Sequence, residues 1–143
     1  MKLLDASLLL HAYDPDFQRH RQSSRWLEKT FSDPELVGLA WVAILAFLRI
    51  STNPRAFRRP FSVDEATRIV SEWLDRPNTV LLEPGQRHWA ILSGLLAAAR
   101  ARADLVTDAH LAALAIEHGA VLCTDDRDFA RFPGLQTLDP QET

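Results

Sequence analysis

The chain has 143 residues, 47% of them hydrophobic and 24% charged, which suits one soluble globular domain around one core. Its 16 basic and 19 acidic residues leave a net charge of −3, which excludes a general electrostatic pull toward nucleic acid and confines any such binding to a local basic patch. The single Cys123 excludes an internal disulfide and fits a reducing compartment, and no apolar run is long enough to span a membrane.

In chain order, Lys2-Leu3-Leu4 is a short apolar run that reads as a buried strand ending at Asp5. Asp5 also interrupts the apolar start, which argues against a signal peptide and predicts a cytoplasmic domain folded from Met1. Ala6 to Tyr13 reads as a helix stopped by Pro15, and His20 to Phe31 as a second helix broken at Asp33-Pro34. Leu36 to Leu39 is the second strand. Trp41 to Ile50 is apolar nearly all round and predicts a buried helix ended by Asn53-Pro54. Ser62 to Asp75 carries a capping box, with Ser62 as N-cap and Glu65 three residues on. Thr79 to Leu82 is the third strand. Arg87 to Arg102 and Thr107 to His118 are Ala- and Leu-rich helices, the latter closed by Gly119. Ala120 to Cys123 is the fourth strand, Phe129 to Phe132 a helical turn, and Leu135 to Leu138 a short last strand.

Short apolar strands alternating with helices predict an α/β sandwich with a mostly parallel sheet. Such sheets bind ligands beyond the carboxyl ends of their strands. Two of the apolar runs end in carboxylates, at Asp5 and at the run Thr124-Asp125-Asp126-Arg127-Asp128-Phe129. Asp108 follows Thr107 at the head of an apolar helix, where the helix dipole favours a negative charge. Each acid alone has a structural explanation: Asp108 offsets the dipole, and Asp128 caps a turn or meets Arg127 or Arg131. Asp5 is harder to explain that way, because an ionisable group between Leu4 and Ala6 is costly to bury without a partner. A shared cation accounts together for carboxylates from three segments: Asp5, Asp108 and the Asp126–Asp128 stretch. An oxygen-only ligand set favours Mg²⁺ or Mn²⁺ over Zn²⁺. Asp125 is the least constrained acid and is expected to point to solvent. Cys123, in its apolar run, reads as a core thiol.

Other chemistries find little support. The five His residues form no His-Glu-x-x-His run and have no Cys at ligand spacing. There is no G-x-x-x-x-G-K phosphate loop and no G-x-S-x-G elbow.

The segments LLDASLLLHAYD, WVAILAFLRISTNPRAF and VTDAHLAALAIEHGAVLCTDDRDFARFPGL resemble PIN-domain ribonucleases. They are most similar to VapC-type toxins of bacterial toxin–antitoxin pairs, especially the actinobacterial group. The resemblance spans nearly the whole chain, and its most specific parts are D-A-H-L-A-A-L-A and the T-x-D-R-D-F-A-R-F run. It implies a single PIN domain over residues 1–143, a Rossmann-like α/β/α sandwich. It also implies Mg²⁺ or Mn²⁺ held at the sheet's C-terminal edge and hydrolysis of RNA phosphodiesters. Carried over by motif, Asp5, Asp108 and Asp126 match acidic positions, Ser7 and Thr124 match hydroxyls beside them, and Asp128 matches a recurrent second Asp. One position departs from the pattern: alignment on Arg49 places Ala46 where many members have a Glu. That favours one tightly held ion over two. It keeps open a non-cleaving PIN-like module that binds RNA or a partner. A receiver-like phosphoacceptor domain fits less well, because Lys2 and Lys29 are the only lysines and neither follows a late strand.

The resemblance further implies a homodimer and a cognate VapB-type antitoxin. The run Asn53 to Pro60 supplies Arg55, Arg58 and Arg59 with Phe57. That stretch is either an RNA grip or a solvated loop with Phe57 in the core. Trp26, Trp41, Trp73 and Trp89 are expected to serve mostly the core, with one or two at an interface.

Overall fold

A computed structural model describes residues 1–142. Strands β1 (Lys2–Leu4), β2 (Val37–Leu39), β3 (Thr79–Leu81), β4 (Val121–Cys123) and β5 (Thr137–Leu138) form one sheet in the order β3-β2-β1-β4-β5. Every neighbouring pair is parallel. The helices are α1 (Ala6–Tyr13), α2 (His20–Ser32), α3 (Trp41–Ser51), α4 (Val63–Asp75), α5 (His88–Ala99) and α6 (Asp104–His118). The chain winds outward from β1 through β2 to β3, then returns to β1's other side for β4 and β5. The point of reversal lies between β1 and β4, and that is where an open parallel sheet leaves a crevice for ligands.

Successive strand residues point to opposite faces, and the core divides accordingly. Leu4, Val37, Leu39 and Cys123 pack with α1 to α4, around Leu8, Leu9, Ile44, Phe47 and Trp73. Leu3 and Leu122 pack on the other face with α5 and α6, against Leu95, the Ala109–Ala115 stretch and Phe129. The single core expected from length is therefore two apolar layers with the sheet between them. Fully burying a Leu or Phe side chain contributes roughly 1.5–3 kcal/mol, and Leu3, Leu4, Leu9, Leu39, Phe47 and Leu122 are all completely buried. Gly38 is in β2 because a Cβ there would stand 2.8 Å from the Leu82 side chain.

The capping box forms as its sequence predicts. Ser62 Oγ accepts from the Glu65 N–H at 3.1 Å, and Glu65 Oε1 accepts from the Ser62 N–H at 3.1 Å. Other expectations are corrected. Helix α6 starts at Asp104, after Ala103 with a positive φ of 56°. Thr107 is therefore not its N-cap, and Asp108 lies in the second turn, where the dipole has largely faded. Helix α5 ends at Ala99 because Arg100 turns left-handed, with φ 50°. Helix α3 is not buried all round: Trp41 is 48% and Leu45 60% exposed. Of the four indoles only Trp73 is fully buried, and Trp89 is 70% exposed.

Candidate active site

The site begins with β1 running out beside β4. Leu4 pairs with Cys123, and the Asp5 N–H donates to the Cys123 carbonyl at 3.0 Å. Asp5 then takes the N-cap position of α1 in an extended conformation, with no cap hydrogen bond from its side chain. Its side chain is thereby fixed next to Thr124, the first residue beyond β4. Asp5 Oδ2 accepts from Thr124 Oγ1 at 2.7 Å and from Ser7 Oγ at 3.1 Å. Buried Thr124 also accepts from the Asp126 N–H at 3.0 Å, so one hydroxyl links the two strand ends. Asp126 Oδ1 accepts from the Asp128 N–H at 2.9 Å, capping the 3-10 turn Arg127–Arg131.

Asp108 reaches the same place from α6. Together with Asp5, Thr107, Arg49 and Ala46 it lines an open cleft of about 530 Å³. Burial pushes the Asp108 carboxyl up to about 6, and repulsion from Asp126, then Asp5, Asp128 and Asp104, adds to the shift. Burial also raises the Asp5 carboxyl, while the Thr124 and Ser7 hydroxyls pull it back. The mutual repulsion places all these acids within one electrostatic site. They do not share one surface, however. Asp126 lines an adjoining hollow with Thr124 and Asp125, and Asp128 is 57% exposed with Arg131 Nε 3.9 Å away. Among the described residues, no three Asp, Glu, His or Cys side chains stand close enough to hold an ion unaided. The donors present are all oxygens and mutually repelling, which suits a hard cation that keeps part of its water shell.

Asp125 does not point to solvent. Its Oδ2 lies 2.9 Å from His11 Nδ1, and its side chain is 19% exposed. The imidazole beside it holds its carboxyl below the ordinary range against the opposing effect of burial, with the Ser7 hydroxyl helping. His11 stacks flat on Phe17, with ring centroids 3.7 Å apart. No local pattern announces this pair, because His11 comes from α1 and Asp125 from beyond β4. Cys123 is fully buried, and burial pushes its thiol up to about 12, which makes it inert as a nucleophile.

Ala46, which the alignment on Arg49 sets where many members of the resembled family have a Glu, lies on the cleft wall. One turn on, Arg49 lines the cleft with no hydrogen bond or ion pair from its guanidinium among the described residues. Sequence reasoning used Arg49 only as an alignment anchor. An arginine following an apolar helical run was the available signal. In the run from Asn53 to Pro60, Arg55, Arg58 and Arg59 are exposed, Arg58 pairs with Asp16 at 3.1 Å, and Phe57 is buried. Base stacking on Phe57 is thereby excluded.

Comparison with known proteins bears on the family and the fold. The PIN domain family model matches residues 2–135. Ribonuclease VapC37 of Mycobacterium tuberculosis is 43% identical over 140 residues, covering 98% of this chain and 97% of that one. Ribonuclease VapC33 of the same species is 39% identical over 140 residues, with 98% of each chain covered. Among solved structures, VapBC2 from Rickettsia felis, bound to a DNA fragment from its promoter, superposes with a TM-score of 0.69 at 15% identity, covering 96% of each chain. M. tuberculosis VapC20, described as a sarcin–ricin-loop-cleaving toxin, gives 0.68 at 16% identity, covering 95% of this chain and 99% of that one. The chain belongs to the PIN-domain family and, within it, to the VapC ribonucleases.

Proposed function

We propose that this chain is a Mg²⁺-dependent endoribonuclease, with Mn²⁺ as a possible substitute, and the toxin of a type II toxin–antitoxin pair. The observation that carries the proposal is the meeting of Asp5 and Asp108 on one open cleft beside the β1–β4 switch point, with Thr124 tying Asp5 to the Asp126 loop. Asp5, Asp108 and Asp126 would hold the ion, partly through water, and its chemistry there is to polarise a phosphoryl oxygen and acidify water. Ser7 and Thr124 fix the Asp5 carboxylate in one orientation. Asp108, with no hydrogen bond or ion pair of its own among the described residues, is the acid most open to an incoming cation. Arg49 faces the same cleft as a charged donor for a substrate phosphate. Asp128, exposed beyond the Asp126 loop, is in reach of Asp108's field.

The solved VapBC complexes among the structural neighbours support a VapB-type antitoxin as partner. An antitoxin arginine entering between Asp5 and Asp108 would take the cation's place. The exposed Trp41, Leu45 and Trp89 supply apolar area for a homodimer. No helix among the described residues is long and apolar enough to cross a membrane.

Cleavage of total RNA by wild type, Asp5→Ala and Asp108→Ala, with Mg²⁺ and with EDTA, tests the proposal. Wild type with Mg²⁺ should cut and the other samples should not; equal cleavage throughout overturns it. Ala46 on the cleft wall favours one competing reading, a module that binds RNA or a partner without cutting. Mg²⁺ binding with no cleavage of any RNA would select it.

A further inference from the structure

A second surface lies at the α1–α2 connection and plays no part in the arrangement so far. The connection from α1 to α2 and the first turns of α2 enclose a groove of about 580 Å³, lined by Phe17, Arg19, His20, Arg21 and Arg25 and by no acidic side chain. In a chain with a net charge of −3, such a local excess of positive charge is what phosphate binding requires. Arg21 and Arg25 are one turn apart on the same face of α2. Both are exposed and neither side chain has a partner among the described residues.

The groove leads toward the site. Phe17 and Arg19 also line a neighbouring hollow of about 320 Å³, whose other wall holds Asp125 and Arg127. Arg127 directly follows Asp126, is exposed, and also has no side-chain partner among the described residues. Asp125 is engaged by His11, and Asp139, the other acid of that hollow, accepts from the Gln141 N–H at 2.8 Å. Arg19 is partly committed, donating to the Gln141 carbonyl at 3.3 Å. Phe17 is held flat against His11, an ordered aromatic among unpaired cations, and arginines interleaved with an aromatic match the demands of single-stranded nucleic acid. The Asn53–Pro60 stretch lacks both features in part, with Phe57 buried and Arg58 tied to Asp16.

We propose that single-stranded RNA leaves the acidic cleft past Arg127 and runs along the α1–α2 groove, with its phosphates on Arg21 and Arg25 and a base on Phe17. The assignment rests on the ribonuclease function proposed above, and it moves the RNA grip from the Arg55–Arg59 loop to this groove.

The test is anisotropy of a fluorescein-labelled, unstructured RNA of roughly 12 nucleotides, titrated with the full chain in EDTA at several salt concentrations. The Arg21→Ala/Arg25→Ala variant should lose about 1.4 from the log–log salt slope, about 0.7 for each phosphate contact on a single strand. Arg55→Ala/Arg59→Ala should keep the wild-type slope. Phe17→Leu should weaken binding about tenfold at unchanged slope. A wild-type slope in the Arg21/Arg25 variant overturns the proposal. So does a wild-type slope accompanied by loss of a co-expressed antitoxin, which would make the groove a protein surface. Cleavage by wild type in Mg²⁺ separates the two claims. Cleavage with a groove-independent slope removes the groove and leaves the nuclease; a groove-dependent slope without cleavage does the reverse.

Discussion

Asp5 and Asp108 line the same cleft and differ in almost every other respect. Asp5 is set by the backbone of β1 and tied by two hydroxyls, so burial is partly offset and the carboxylate has one orientation. Asp108 projects from the second turn of α6, has no hydrogen-bond or ion-pair partner among the described residues, and lies in the field of four other acids. The first carboxylate is stabilised by the protein, while the second has no partner among the described residues. A site built this way tolerates crowded negative charge only with a proton or a cation on the unsupported member.

The largest predicted effect comes from removing either acid. Asp5→Ala and Asp108→Ala should each lower Mg²⁺-dependent RNA cleavage more than about 100-fold, exceeding typical losses for groups that merely support a ligand. Single-turnover cleavage of one RNA measures both, and a variant retaining wild-type rate would remove that acid from the site. Next comes the support itself. Thr124→Val deletes the 2.7 Å hydrogen bond to Asp5 and should cost about 10–100-fold in activity or Mg²⁺ affinity. An unchanged Mg²⁺ titration would mean that Asp5 does not depend on its tether.

A smaller effect concerns stability. The folded chain raises the Asp108 carboxyl from 3.8 to about 6, so the unfolded chain releases this proton first as pH rises. Stability from the protonated group is complete below about pH 4 and is lost as pH climbs through 6. Asp108→Asn should therefore be more stable than wild type at pH 7 by about 1 kcal/mol, after allowing for solvent screening of a half-exposed group. That corresponds to roughly 2–4 °C in Tm. The gain should vanish below pH 4, and thermal melts across that range would show it; a pH-independent gain would point to packing. Smallest is Arg58→Ala. Its pair with Asp16 is exposed, so unfolding titrations should change by less than about 1 kcal/mol. A larger loss would show that the Asn53–Pro60 segment is structurally coupled to the α1–α2 connection.

These two acids also show how far sequence carried. Asp5 was legible because a strand of three apolar residues ends on an ionisable group, a pattern that local chemistry makes costly and therefore informative. The parallel sheet followed from the same alternation of short apolar runs and helices. Asp108 does line one cleft with Asp5, but the local reason read for it was wrong. Thr107 looked like an N-cap, whereas α6 starts at Asp104, after Ala103 with a positive φ of 56° that an alanine does not advertise. Asp125 was misread because its partner His11 belongs to a distant segment, and only the folded sheet brings them together. The α1–α2 groove was missed for a similar reason. Its arginines are spread along a helix start, and only the α1–α2 turn places Phe17 among them. For Phe57 the basic run left two readings open, a stacking residue or a core residue, and it is buried with Phe61 nearby, at a centroid distance of 6.2 Å.

Under the function proposed above, a cation offsets the cleft's crowded carboxylates, and Asp108 reports it. Carbon-13 NMR of its carboxyl, followed across pH with and without Mg²⁺, should give a midpoint near 6 in metal-free protein that falls when Mg²⁺ is added. A midpoint at the ordinary carboxylate value, unmoved by Mg²⁺, would contradict the account.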